Sequence, residues 1–95
     1  MRIITRNTYA AWLAREERKF SNTEISADGS VYLHGNQIVK VVDGEAYVSD
    51  GGYGWTMTTA ERLKPWACFH RENWQPYMNG EEYTSGTWVK ASFPR

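Results

Sequence analysis

Apolar and polar residues alternate in short segments over much of the chain, and each segment ends at a turn sequence. Val31 and Leu33 alternate with more polar neighbours, and similar segments follow over 38–42 and 45–49. Asp-Gly and His-Gly-Asn sequences, which favour tight turns, separate them. Because period-two alternation is typical of half-buried strands, we predict an antiparallel meander over 23–49.

The N-terminal part has a helical pattern instead. Its apolar stripe comprises Tyr9, Trp12, Leu13 and Phe20. These positions and the intervening alanines predict a helix over about 8–20, capped by Asn7 or Thr8, that lies on one face of the sheet. The five residues before it, 1–5, are compatible with a short strand.

A glycine-rich corner and a second helix follow the meander. Residues 50–55 contain three glycines, which permit backbone conformations closed to other residues. Thr58 and Glu61 have the spacing of a capping box, which predicts a short helix that reaches about residue 64. We expect Leu63 and Trp55 to hold this helix by packing.

The rest of the chain again has the pattern of hairpins, with Asn79-Gly80 as a turn. The predicted strands are 66–70, 74–78, 81–84 and 87–92. Pro76 lacks a backbone N–H, so its strand is expected at a sheet edge or at a bulge. The fold class is therefore α+β: one domain over 1–95, with a meander sheet of about five to seven short strands, an N-terminal helix and a short capped helix.

Composition adds an excess of aromatic residues. Five Trp, six Tyr and three Phe are more than the core of a 95-residue domain readily hides. Some aromatic side chains are therefore expected at the surface, where Trp and Tyr are typical of binding sites.

The net charge is zero, which disfavours a nucleic-acid-binding protein, since such proteins usually carry a basic excess. The charges are unevenly placed. Residues 1–20 hold five basic and two acidic residues, a net of +3, and 41–61 hold four acidic residues and no basic one. Ordinary solvated faces explain this, and a contact in a homo-oligomer or with a charged partner is the alternative.

Cys68 is the only cysteine, which excludes an intramolecular disulfide and a thiolate metal cluster. The chain has neither an apolar run of about 20 residues nor the apolar segment of a signal peptide. We expect a soluble cytoplasmic protein with no membrane partner.

The residues do not predict catalysis. Cys68 and His70 would point the same way from one strand, about 7 Å apart at Cα, but a thiol beside a surface imidazole is the simpler interpretation. Adjacent glutamates diverge and make poor acid–base pairs. The glycine corner lacks the Lys-Ser/Thr ending of a phosphate-binding loop. We therefore expect no catalytic residues, no metal and no cofactor.

Four motifs follow one another along the chain: LHGN at Leu33–Asn36, Gly54-Trp55, the T-x-T-T-x-x-R-L string at Thr56–Leu63 and the later Asn79-Gly80 turn. With these motifs the sequence resembles a family of small bacteriophage proteins. The resemblance covers about residues 22–90. This chain departs from it at Val39, where Ala is usual, at Lys64, which replaces Asn, and in the longer glycine corner. The resemblance implies an accessory protein that acts in an infected bacterium, and it supplies no chemistry.

Two functions of different classes remain open. The first is a non-enzymatic protein that binds and inhibits or modulates a host or phage protein, with host defence systems among the targets. The second is a sponge for a nucleotide-like signalling molecule, in which aromatic rings stack a base and polar groups hold phosphate. Nucleic-acid binding is a weaker third. The candidate binding residues are Tyr32, His34, Asn36, Tyr53, Trp55, Thr59 and Arg62.

Overall fold

The structure, a computed structural model, describes residues 2–91. Two helices, Ile3–Leu13 (α1) and Met57–Leu63 (α2), accompany antiparallel strands, which confirms the α+β class. The strands in this part of the chain are Arg18–Phe20 (β1), Thr23–Ile25 (β2), Val31–Leu33 (β3), Asn36–Val42 (β4), Glu45–Val48 (β5), Phe69–Glu72 (β6), Gln75–Met78 (β7), Glu81–Glu82 (β8) and Val89–Lys90 (β9).

The strands form two sheets, one of six strands, within the predicted five to seven, and one of three. Strands β1 to β5 make the predicted meander in sequence order, and β9 returns to pair with β5 at its edge. Strands β6, β7 and β8 form a separate three-stranded sheet. The last predicted strand extended to residue 92, which lies outside the described residues.

The core lies between the meander and the two helices. Val31 and Leu33 are buried while Tyr32 between them is half-buried, as the alternation predicted. The indole rings of Trp12 and Trp66 meet edge to face, with centroids 5.3 Å apart, and both are almost fully buried. Aromatic residues from α1 and from the turn after α2 therefore join the helices to the sheet.

The first helix ends earlier than predicted, at Leu13 instead of residue 20. Arg15 has φ +58°, and the backbone nitrogen of Glu16 donates to the Ala11 carbonyl. This six-to-one bond with a left-handed residue is a Schellman ending, which usually has glycine where this chain has Arg15. Residues 18–20, predicted as helix, are instead strand β1.

The start of the first helix is also different from the prediction. It begins at Ile3, so the strand expected over 1–5 is wrong for the described residues. Thr8 lies inside the helix, where its hydroxyl donates to the Ile4 carbonyl, and it is not a cap. Thr5 and Thr8 are both buried, so the inner face of α1 contains polar residues. The sequence therefore does not show the helical period of hydrophobic residues in this part of α1.

Pro76 lies in the central strand of the second sheet, which contradicts the edge prediction. The backbone nitrogen of Tyr83 donates to the Pro76 carbonyl. Proline has no N–H that could donate back to the Tyr83 carbonyl. The side-chain Nε2 of Gln75 donates to that carbonyl instead, at 3.3 Å. A neighbouring side chain thus satisfies the acceptor that proline leaves unpaired.

Candidate binding surfaces

Four of the two-residue hairpin turns have positive φ at both positions in the part of the chain that the structure describes. This is the type I′ pattern, whose second position favours glycine because L side chains are strained there. Three of these turns follow the rule: His34-Gly35, Asp43-Gly44 and Asn79-Gly80. The prediction included Asn36 in the first of these turns, but Asn36 is already in β4.

The fourth turn, Asn73-Trp74, has tryptophan in the glycine position. Trp74 has φ +68°, and its side chain is 83% exposed. A bulky residue in this region is a conformational outlier, and a tryptophan exposed to this degree gains little from burial. Local folding energetics therefore do not explain this residue, and such outliers point to function.

An arginine lies between Trp74 and a second tryptophan. The guanidinium carbon of Arg71 on β6 lies 4.8 Å from the ring centroid of Trp74 and 4.6 Å from that of Trp55. Both distances are typical of cation–π contacts. Within residues 2–91, the Arg71 guanidinium has no hydrogen bond or ion pair, so its N–H donors remain available.

The surface that Trp55 and Trp74 form extends to the exposed side of α2. Trp55 lines a shallow groove of about 230 Å³ together with Met57, whose side chain is 76% exposed. We call Trp55, Met57, Arg71 and Trp74 the hairpin surface. It combines two indole rings, a flexible thioether and one cation without an ionic partner in the described chain.

A second concave surface lies on the other side of the glycine corner. It is an open groove of about 540 Å³ lined by Leu33, His34, Tyr53, Thr56, Thr58 and Thr59. The amide of Asn36 donates to the hydroxyl of Tyr53 at 2.9 Å and to the carbonyl of His34 at 3.0 Å. These bonds tie the turn after β3 to the glycine corner, and we call this the corner groove.

The structure brings part of the predicted site together. His34, Tyr53 and Thr59 line the corner groove, and Asn36 lies beside it. Trp55 belongs to the hairpin surface instead. Tyr32 lies on the sheet face opposite its buried neighbours and does not line the groove.

Arg62, the seventh predicted residue, is inside the protein. Its side chain is only 4% exposed, and it donates to Thr23 Oγ1 and Thr5 Oγ1, both at 3.1 Å. Burial lowers the pKa of this guanidinium, with Arg2 adding to the effect. Arg62 therefore links α2 to α1 and β2, and it does not face the groove.

The predicted capping box is wrong in register. The cap of α2 is Thr56, whose Oγ1 accepts from the backbone nitrogen of Thr59 at 3.0 Å, and Thr58 is in the first turn. Glu61 does not bond back to this cap. Its carboxylate accepts from the backbone nitrogen of Arg2 and pairs with Lys64, and these contacts lower the pKa of Glu61 to about 2.

The acidic segment 41–61 does not form an acidic surface. Glu45 pairs with Lys90 at 3.0 Å, and Glu61 pairs with Lys64 at 2.9 Å. Asp50 is buried, and its Oδ1 accepts from the backbone nitrogens of Gly52 and Gly86. Three of the four carboxylates of this segment are therefore paired or buried, and Asp43 is exposed.

Cys68 and His70 share a face, as their spacing predicted. The thiol sulphur lies 3.8 Å from His70 Nδ1, and both side chains reach solvent. The imidazole stacks on Tyr77 with ring centroids 5.4 Å apart. Residues 2–91 contain no group of three or more His, Cys, Asp or Glu side chains placed to hold a metal ion.

The most exposed part of the hairpin surface was missed in the sequence. The sequence pattern predicts Trp74 in a strand, and Arg71 and Met57 are not among the candidate binding residues that it indicates. The signal that was available is the pair Asn73-Trp74 between two alternating segments, since asparagine at a two-residue turn is normally followed by glycine.

Comparison with protein families identifies the chain as a bacteriophage protein. Residues 1–93 match the model of the Kyanoviridae Gp96 protein, so the chain belongs to the Kyanoviridae Gp96 protein family. This confirms the phage origin that the motif string implied. No curated protein and no solved structure matches the chain. Among the described residues, no helix is both long and apolar enough to span a lipid bilayer.

Proposed function

We propose that this phage protein is a non-enzymatic accessory protein that acts in the cytoplasm of the infected host. It binds another protein through the hairpin surface and thereby inhibits or modulates that protein. The single observation that carries the proposal is Trp74, whose side chain is 83% exposed at a turn position that normally requires glycine.

The composition of the hairpin surface supports this function. Tryptophan and arginine are the residue types most enriched among the energetic centres of protein–protein interfaces. Arg71 contacts the rings of both Trp55 and Trp74, and these contacts reduce the side-chain freedom that Arg71 loses when a partner binds. Met57 adds a flexible apolar contact at the edge.

The experiment is affinity capture from a lysate of the infected host with three baits. The baits are the wild-type chain, Trp74→Gly and, as a control at an exposed apolar position on another strand, Val42→Thr. The proposal expects a protein that the wild type and Val42→Thr retain and Trp74→Gly loses. Purified, that protein should bind the wild type at least tenfold more tightly than Trp74→Gly. Equal retention by all three baits would contradict the proposal.

The corner groove supports a second candidate, capture of a small molecule. Its volume of about 540 Å³ is in the range of ligand sites, and Tyr53 offers an aromatic wall. Arg62, the residue expected to hold phosphate, is buried elsewhere, so the groove suits a planar ligand with little charge better than a nucleotide.

Thermal denaturation against nucleotides and free bases tests this second candidate. Ligand capture expects a base to raise the melting temperature of the wild type, and Tyr53→Ala to abolish the shift. If no compound stabilises the protein at millimolar concentration, the groove is not a site of this kind.

A further inference from the structure

The residues of the hairpin surface indicate which chemical groups its partner presents. From the placement of Arg71 we infer that the partner presents a carboxylate beside an apolar side chain, as an acidic peptide segment does. The inference rests on the proposed function, because it describes what that same surface would recognise.

Arg71 contacts two aromatic rings and has no polar partner within residues 2–91. Its guanidinium lies between two indole rings, and within residues 2–91 it contacts no carboxylate and no hydrogen-bond acceptor. Because the guanidinium makes no hydrogen bond within residues 2–91, its N–H edge stays open. That edge matches the two oxygens of a carboxylate, which it can bind with two parallel hydrogen bonds.

The carboxylate of the adjacent Glu72 does not pair with Arg71. Glu72 is adjacent to Arg71 in sequence, but neighbouring residues on a strand point to opposite faces. The Glu72 carboxylate lies 4.0 Å from His70 Nε2 instead. A cation held by two rings with an acidic neighbour turned away is arranged for a carboxylate from outside the chain.

Charge around the site favours a single carboxylate over a nucleic-acid backbone. The three-stranded sheet carries Arg71 against Glu72 and the exposed pair Glu81 and Glu82. Two basic side chains, Arg2 and Lys64, line the neighbouring groove, and Lys64 already pairs with Glu61. A phosphodiester chain needs several cations in a row, whereas one carboxylate needs only Arg71.

The apolar part of the preference comes from the rings and the thioether. Trp74 is 83% exposed and Met57 is 76% exposed, and Trp55 both contacts the cation and lines the groove with Met57. A leucine or aromatic side chain next to the carboxylate would cover this apolar area.

The test is selection from a displayed library of random twelve-residue peptides on the immobilised full-length chain. The expected sequences contain Asp or Glu next to a large apolar residue, and Trp74→Gly should not retain them. The best peptide is then synthesised, together with a version whose acidic residue is replaced by its amide, and both are titrated against each variant.

The expected pattern is a double-mutant cycle. Arg71→Gln and the amide peptide should each weaken binding about tenfold or more, and the amide should weaken binding to Arg71→Gln no further. Arg6→Gln, which removes an exposed arginine of α1, should bind like the wild type. Circular dichroism confirms that each variant is folded.

Three other outcomes overturn parts of the account. Peptides that depend on Trp74 but lack acidic residues would overturn this inference and leave the proposed function standing. Selected peptides that bind Trp74→Gly as well as the wild type would overturn both. A twelve-nucleotide oligothymidylate that binds more tightly than the best peptide, and depends on Arg71, would replace the acidic segment with a single-stranded nucleic acid.

Discussion

The carboxylate of Glu61 on α2 accepts a hydrogen bond of 2.7 Å from the backbone nitrogen of Arg2, the N-cap of α1. Arg2 provides no side-chain cap of its own, so a residue 59 positions away supplies the negative group that the start of a helix favours. Glu61 also bonds Lys64, and the two contacts hold its pKa near 2. The second helix therefore stabilises the end of the first.

Glu61 should make the protein sensitive to acid. Its pKa is lowered from about 4.5 in the unfolded chain to about 2 in the folded one. Its contribution is therefore complete above pH 4.5 and lost as the pH falls towards 2. After allowance for screening by solvent, we expect about 1–2 kcal/mol. Urea unfolding at pH 7 and pH 3 should show a smaller difference for Glu61→Gln than for the wild type. Glu17→Gln, at an exposed position, is the control, and an unchanged difference in Glu61→Gln would contradict this assignment.

Arg62 should be a stability residue and not a ligand contact. Arg62→Ala removes a buried side chain and leaves the hydroxyls of Thr5 and Thr23 without their donor. We expect a loss of about 2–4 kcal/mol in the free energy of unfolding. Arg6→Ala, at an exposed position on α1, should change it by about 0.5 kcal/mol or less. A normally stable Arg62→Ala would show that the buried contacts are not needed.

The hydroxyl of Tyr83 should hold the end of β5 to the C-terminal segment. It accepts from the backbone nitrogen of Asp50 at 3.1 Å, donates to the Thr87 carbonyl and lies 3.2 Å from Ser49 Oγ. Tyr83→Phe should therefore lower the free energy of unfolding by about 1–3 kcal/mol in urea titrations at pH 7.

The same hydroxyl predicts alkaline sensitivity. Burial raises the pKa of Tyr83 above its usual value of 10, so the folded state keeps the proton longer than the unfolded one. Its stabilisation is present below pH 10 and lost as the pH rises through the higher value. Tyr83→Phe should flatten this decline in unfolding experiments between pH 9 and pH 11. An equally steep decline would assign the effect to other groups.

Sequence patterns predicted the elements that depend on local rules. Alternation placed β2 to β5 within a residue or two, and Asp43-Gly44 and Asn79-Gly80 marked real turns. The failures have physical causes. Arg15 ends α1 in a conformation that glycine usually takes, so the sequence contains no stop signal there. The capping box failed because Thr56, not Thr58, caps α2, and because Glu61 bonds to a distant helix, which no local pattern can reveal.

The candidate site was less predictable for the same reason. His34 and Tyr53 came together because short turns bring them to one end of the sheet. Arg62 was assigned by residue type, but two buried hydrogen bonds, to Thr23 and Thr5, decide its position. Trp74 occupies a turn position that normally requires glycine, and this departure can be recognised only after the turn has been located.

The most direct test of the central claim, that Trp74 is kept for binding and not for folding, is the unfolding free energy of Trp74→Gly. Glycine relieves the left-handed strain, worth about 1–2 kcal/mol, and gives the favoured Asn-Gly turn, while the lost contact with Arg71 is worth about 0.5–1 kcal/mol. The account predicts that urea titration finds Trp74→Gly as stable as the wild type or more stable by about 1 kcal/mol. A loss of more than about 1 kcal/mol would show that the indole is structural and would contradict the account.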